Sequence, residues 1–397
     1  MENKRKIKNA IMIGALSSVS YFVVYFSRNI LSAVSPQMIE SGGYTTEYIG
    51  AVSSFFFAFY AVGQLISGVI GDRVKARYMM SVGLVMAGIC NLLFPIVVDQ
   101  AMMATVIYGI TGFFLAMIYA PMTKMVAENT EPLYATRCSV GYEFGALLGS
   151  PIAGIAAAVL AWYAAFYLSG GILIGMGIIC YAMILFFEKK GIVKYNQFEQ
   201  KEKKNGKIKI LIEHRIIKFT FISVITGIVR TSVVFWLPTY ISQYLGFSAE
   251  KSANIFTVAT FAISMTTFIA VFIYEKLKRN MDLTILLAFI SAAVFFAGTY
   301  VINHSWGNII CLVLAIMSSN SAACMLWSRY CPSLYQTGMV STATGYLDFM
   351  SYMAAALASK VFANAVSVIG WKNLIITWFA LMILGIIISL PWKKRTH

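Results

Sequence analysis

IMIGALSSVSYFVVYFSRNILSAVSP, from Ile11 to Pro36, is apolar enough to cross a bilayer yet carries an arginine, Arg28, with a proline eight residues beyond it. IIKFTFISVITGIVRTSVVFWLPTYISQ, from Ile216 to Gln243, repeats that spacing with Arg230 and Pro238. A helix needs about 20 apolar residues to cross about 30 Å of hydrocarbon. At about 1.5 Å per residue, Arg28 stands about 26 Å into its span and Arg230 about 21 Å into the other. A guanidinium near the bilayer centre costs about 2.5–3.5 kcal/mol on insertion scales, so two kept at matching places are expected to hold something negative.

The rest of the chain agrees with a membrane reading. Of its 397 residues 59% are hydrophobic and only 12% charged, and the mean hydropathy is +0.75, too apolar for a soluble surface. Apolar runs such as Ile11–Phe26, Met79–Val98, Ile172–Phe187 and Leu374–Leu390 fit spanning helices, not barrel strands. Read between polar breaks, the spans fall at 11–34, 48–71, 77–98, 101–123, 138–161, 164–187, 216–242, 252–274, 283–302, 307–329, 338–363 and 372–391. The expectation is an all-α membrane protein of twelve transmembrane helices. Residues 1–187 form an N-terminal six-helix half, 188–215 a polar linker and 216–397 a C-terminal six-helix half. The linker, EKKGIVKYNQFEQKEKKNGKIKILIEHR, reads as a solvated charge run.

All but five of the 31 Lys and Arg fall at the N-terminus, in connections on one side, in the linker or at the C-terminus. The exceptions are Lys251 and Lys372 on the opposite side and Arg28, Arg230 and Lys360 inside spans. The positive-inside rule places both termini and the linker in the cytoplasm and the protein, multi-pass, in the plasma (inner) membrane. The net charge of +15 is thereby topological and gives no support to nucleic-acid binding. The N-terminus, MENKRKIKNAIMIG, has a signal-like basic start but no small-residue cleavage site, and reads as a retained first helix. The six cysteines show no metal spacing, so neither a metal nor any cofactor is expected.

A duplicated six-span unit makes spans one and seven equivalent, and their arginines with them. Each arginine has an ordinary alternative, snorkelling or pairing with a carboxylate, and two carboxylates lie inside spans: Glu143 in span five and Asp348 in span eleven. Lys360 is placed near the outer interface, where a long side chain snorkels. Glu143 and Asp348 admit two roles, counter-ions of the arginines in the empty state or proton carriers with raised pKa.

GVIGDRVKAR, Gly68 to Arg77, resembles the G-x-x-x-D-R-x-x-x-R loop of the major facilitator superfamily. The resemblance implies the twelve-helix fold of that superfamily, with two pseudo-symmetric halves. It also implies a gating role for Gly68, Asp72, Arg73 and Arg77 at the cytoplasmic ends of neighbouring helices. The matching loop of the second half, YEKLKRN from Tyr274, is degraded. YFVVYFSRNILSAVSP (Tyr21–Pro36) and GIVRTSVVFWLPTYI (Gly227–Ile241) are similar to the first and seventh helices of the organophosphate:phosphate antiporters, the family of glycerol-3-phosphate and hexose-phosphate transporters. By that resemblance Arg28 and Arg230 hold the phosphate moiety, while Tyr21, Tyr25 and Tyr60 line the path. Two positions depart from the pattern. Gln64 stands where the family commonly has a lysine, and Ala146 where it commonly has a histidine; both changes reduce positive potential.

Arginine offers planar bidentate hydrogen bonds to phosphate, phosphonate, sulfonate or carboxylate and stays protonated when desolvated. The expected activity is therefore secondary transport of a small organic anion by alternating access, with an organophosphate exchanged for inorganic phosphate. The alternatives are proton-coupled symport of a carboxylate or other organic monoanion, and a non-transporting sugar-phosphate sensor. An enzyme would need a nucleophile, metal cluster or phosphate loop. None appears: His214 and His397 fall in cytoplasmic segments and His304 in an outer loop. The expected partners are the anion, with inorganic phosphate or protons, and the bilayer, around a monomer. Trp236, Trp327, Tyr119, Tyr142 and Tyr346 are further candidates for lining a cavity, or for packing.

Overall fold

The computed structural model describes residues 2–70, 74–195, 212, 214–334 and 340–390. Among the described residues the regular structure is entirely helical. Eleven helices among the described residues are long and apolar enough to cross a membrane, and the last of them, Ala343–Ser389, at 47 residues is long enough for two crossings. Its parent helix, Val340–Ser389, is broken at Gly370, where φ is 75° and ψ 167°. Only glycine takes that left-handed, extended conformation without strain, so one residue makes the turn between spans eleven and twelve. The polar break expected at 364–371 is in this way shortened to a single hinge.

Span one is one helix, Glu2–Glu40, and continues on both sides of the apolar run that announced it. Span two is Thr46–Ile70 and span three Ala76–Val97. Span four is interrupted between Ala101–Ala116 and Tyr119–Asn129. Spans five and six are Pro132–Val159 and Trp162–Lys189. Span seven starts as Ile216–Gly227, passes through a π-turn at Ile228–Val233 and ends as Val234–Gln243. Span eight is split into Ala249–Ser264 and Thr266–Lys276. Span nine is Met281–Val301, and span ten is Ser305–Met325 with a second π-turn at Leu326–Tyr330.

The chain forms two compact units, Met1–Glu202 with Phe247–Phe261, and Lys203–Gly246 with Ala262–His397. In the first, span one packs on span five, two on four, and three on six. In the second, span seven packs on eleven, the later part of eight on ten, and nine on both ten and twelve. The pairing repeats at an offset of six spans, as a duplicated six-helix unit requires.

Lipid tails are as apolar as leucine, so helices in a membrane hold together by close packing, and small residues let their backbones approach. Gly141, Gly145 and Gly149 run along span five against span one. A Cβ at Gly145 would lie 2.5 Å from the Ser18 carbonyl oxygen, and one at Gly149 2.5 Å from Tyr25 Cβ. Spans one, three and six meet around Asn91, fully buried, whose side-chain amide donates to Ser27 Oγ at 2.8 Å and Ser169 Oγ at 3.0 Å.

Each unit is also tied at the end that the charge distribution assigns to the cytoplasm. In the first, Arg77 at the start of span three donates to Glu188 at the end of span six, at 2.6 Å, and Tyr195 donates to the same carboxylate at 2.7 Å. In the second, Asp282 at the start of span nine accepts from Arg215 at 2.9 and 3.0 Å and from Lys218 at 3.1 Å. Lys218 also donates to the Ser389 carbonyl at the end of span twelve. The third and sixth helices of both sets are thus joined at the same end by charged groups.

Replacing Gly149 by Val should cost about 1–3 kcal/mol through overpacking against Tyr25. Gly171→Ala, where nothing lies within 4 Å of the added carbon, should leave stability unchanged. Melting of the two variants in detergent distinguishes them. Asn91→Ala should cost about 1 kcal/mol in the same assay, because interhelical hydrogen bonds in membranes average about 0.6 kcal/mol each.

Candidate functional site

Arg28 projects from span one at the level of a tyrosine cluster. Its guanidinium carbon lies 5.2 Å from the centre of the Tyr25 ring and 4.8 Å from that of Tyr60. Tyr60 is contributed by span two and is 1% exposed. Tyr21, one turn before Tyr25, packs edge-on against it at 5.0 Å and contacts Tyr119 at 5.3 Å and Tyr142 at 5.9 Å. Aromatic faces are negative, and a cation within about 6 Å of a ring centre gains about 0.5–2 kcal/mol, more as it is desolvated. The rings therefore help a guanidinium to remain in a poorly hydrated place. Tyr21, Tyr25, Tyr60 and Arg28 stand together, and Gln64 follows one turn after Tyr60, half-buried. Ala146 is 5% exposed, inside span five.

Arg230 lies inside the π-turn of span seven. Its Nη2 is 3.8 Å from Asp348 Oδ1, an ion pair between side chains 32% and 26% exposed. The rings of Trp327 and Tyr352 flank the guanidinium at 5.9 and 5.8 Å. Both arginines thus lie beside aromatic rings, and Arg230 is ion-paired with Asp348. Trp327 belongs to the π-turn of span ten. Tyr352 went unnoticed in the sequence, although its position four residues after Asp348 puts the two on one helix face. The π-turns leave no mark in hydropathy, and nothing in the composition announces them.

The other sequence candidates separate. Trp236 is 1% exposed and packs edge-on against Phe235 and Trp371, so it belongs to the core. Tyr346 is 42% exposed. The side chains of Gly68 and Glu143, and Asp72 and Arg73 altogether, lie outside the described residues. Arg77 is the described member of the GVIGDRVKAR loop that makes an ion pair, with Glu188, a partner that the basic linker sequence concealed. Among the described residues no three His, Cys, Asp or Glu side chains gather as metal ligands do.

Repeated six-helix sets, each carrying an arginine within the apolar length of its first helix, define a multi-pass membrane transporter. The profile of the Major Facilitator Superfamily matches residues 17–359, and the chain belongs to that family. It is a member of a transporter family, not an enzyme, and it resembles the organophosphate:phosphate antiporters. A "Probable hexose phosphate transport protein" of Chlamydia pneumoniae is 22% identical over 417 residues, covering 96% of this chain and 90% of its own. The glycerol-3-phosphate transporter of Bacillus subtilis is 23% identical over 427 residues, covering 99% and 95%. The membrane sensor protein UhpC of Escherichia coli is 27% identical over 252 residues, covering 57% and 56%. A bacterial homologue of the human lysosomal transporter Spinster, in an inward-facing, unoccupied crystal structure, superposes with a TM-score of 0.79. It is 10% identical to this chain over 96% of each, a likeness of fold.

Substituting Tyr60 should separate the ring from its hydroxyl. Tyr60→Phe keeps the face beside Arg28 and should lower stability less than Tyr60→Leu, which also removes the ring and should cost about 0.5–2 kcal/mol more.

Proposed function

We propose that the protein is a secondary transporter of a small phosphorylated organic anion, exchanged for inorganic phosphate, in the inner membrane with both termini cytoplasmic. Arg28 and Arg230 are the phosphate ligands in this reading. The observation that carries it is the pair of arginines at equivalent places on spans one and seven, each set among aromatic rings. The relatives matched along nearly the whole chain, a glycerol-3-phosphate transporter among them, support a phosphate ester as cargo.

The chemistry follows from the groups present. A guanidinium gives phosphate two parallel charge-assisted hydrogen bonds and remains charged in a dry site. Asp348, 3.8 Å from Arg230, offsets its charge. An incoming phosphate competes with that carboxylate and offers better geometry. Occupancy thereby changes which conformation is favoured, and a ligand shifts a conformational equilibrium only through such differential contacts. A carrier that crosses readily only when loaded exchanges one anion for another without ATP. Gln64, a turn beyond Tyr60, gives a neutral donor and acceptor beside the organic part of the cargo.

Liposomes preloaded with labelled phosphate and containing the purified protein should release label when glycerol phosphate or hexose phosphates are added outside. Phosphate retained under every anion, with uptake only under an imposed pH gradient, would establish proton-linked transport instead. Phosphate binding without any release would place the protein with the sensors. Arg28→Lys and Arg230→Lys should each abolish exchange while the protein remains folded, because a lysine ammonium lacks the bidentate fork. Asp348→Asn removes the competing carboxylate and should lower the phosphate concentration needed for half-maximal exchange.

A further inference from the structure

Span seven is fastened to span eleven at two serines. Ser223 Oγ donates to the Leu347 carbonyl at 2.7 Å, and Ser232 Oγ donates to the Ala355 carbonyl at 2.7 Å while meeting Ser359 Oγ at 3.1 Å. Between them Gly227 allows close approach, since a Cβ there would collide with Ser351 Oγ. The seam on span eleven advances by fours, through Leu347, Ser351, Ala355 and Ser359. The seam on span seven advances by four, from Ser223 to Gly227, and then by five to Ser232.

That extra residue cannot be accommodated in a regular helix. At about 100° per residue, nine residues of α-helix turn Ser232 about 180° away from Ser223, so both could not face span eleven. Eight residues, the spacing of Leu347 and Ala355, leave the two ends about 80° apart. The π-turn at Ile228–Val233, with its wider i→i+5 hydrogen bonding, absorbs the surplus and lets both serines reach their carbonyls. Arg230 sits within it. In an unbroken α-helix Arg230, seven residues after Ser223, would lie within about 20° of the face packed on span eleven. Instead its side chain is 32% exposed between Val229, 0% exposed, and Thr231, 6% exposed. The facing π-turn in span ten carries Trp327, one of the rings beside it.

We propose that the surplus residue of span seven, held by Ser223 and Ser232, is the device that lifts Arg230 out of the buried seam and presents it for ligand, with Ser232 its positioning residue. The proposal rests on Arg230 being an anion ligand as regards its use, but its geometry is testable without any substrate.

In protein whose six native cysteines have been replaced, single cysteines at positions 229, 230 and 231 are labelled with a small charged thiol reagent. Position 230 is expected to react and its neighbours to stay protected. Deleting Thr231 leaves the second serine eight positions after the first, so the seam should survive with a regular α-helix, and labelling at position 230 should fall about tenfold as it turns into the packed face. Ser232→Ala, which releases the later fastening, should also redistribute labelling away from position 230, and Ser232→Thr should restore it. A profile unchanged in both the deletion and Ser232→Ala overturns the proposal, even if phosphate exchange is lost. A shifted profile in a protein that never exchanges phosphate upholds the geometry and removes only the assigned ligand.

Discussion

Hydrocarbon offers no hydrogen bonds, so a charge or amide carried into a span must be solvated by the protein itself. This requirement governs the interior of both units. Arg28 is surrounded by the faces of Tyr25 and Tyr60, and Arg230 by two rings and the Asp348 carboxylate. Asn91 is shared by two serines from neighbouring spans. In each case the polar group is answered by another helix, so the cost of burying it becomes a constraint on which helices adjoin.

Close packing supplies the complementary constraint. The glycines of span five bring its backbone onto span one beside Tyr25, fixing a ring that faces Arg28. Gly227 does the same for spans seven and eleven beside Arg230. The seam that stabilises each unit therefore adjoins its arginine, and a substitution made for packing reaches that arginine through one side chain. At the end where the third and sixth helices of each set meet, Arg77 pairs with Glu188 directly in one set, whereas in the other Lys218 of span seven bridges Asp282 and the Ser389 carbonyl.

Spans one and seven also show how a duplicated element diverges. Both carry the Arg-x7-Pro spacing, but span one is continuous through Arg28 whereas span seven is widened at Arg230. The likeness is in residue type and depth, and the difference is in how the backbone aims the side chain.

The membrane class, the number of crossings and the two exceptional arginines were legible in the amino-acid sequence because they depend on hydropathy and charge alone, which are properties of residues taken singly. Tyr21, Tyr25 and Tyr60 were legible by resemblance, and the structure gathers them at Arg28. Other features depended on which helices adjoin. Asp348 was a candidate partner for either arginine or a proton carrier, and only packing against span seven put it beside Arg230. Tyr352 and Glu188 entered the picture through neighbours more than a hundred residues away. The single-residue turn at Gly370 and the π-turns depend on backbone register. Hydropathy cannot record register, since a surplus apolar residue has the same transfer energy wherever the helix chooses to absorb it.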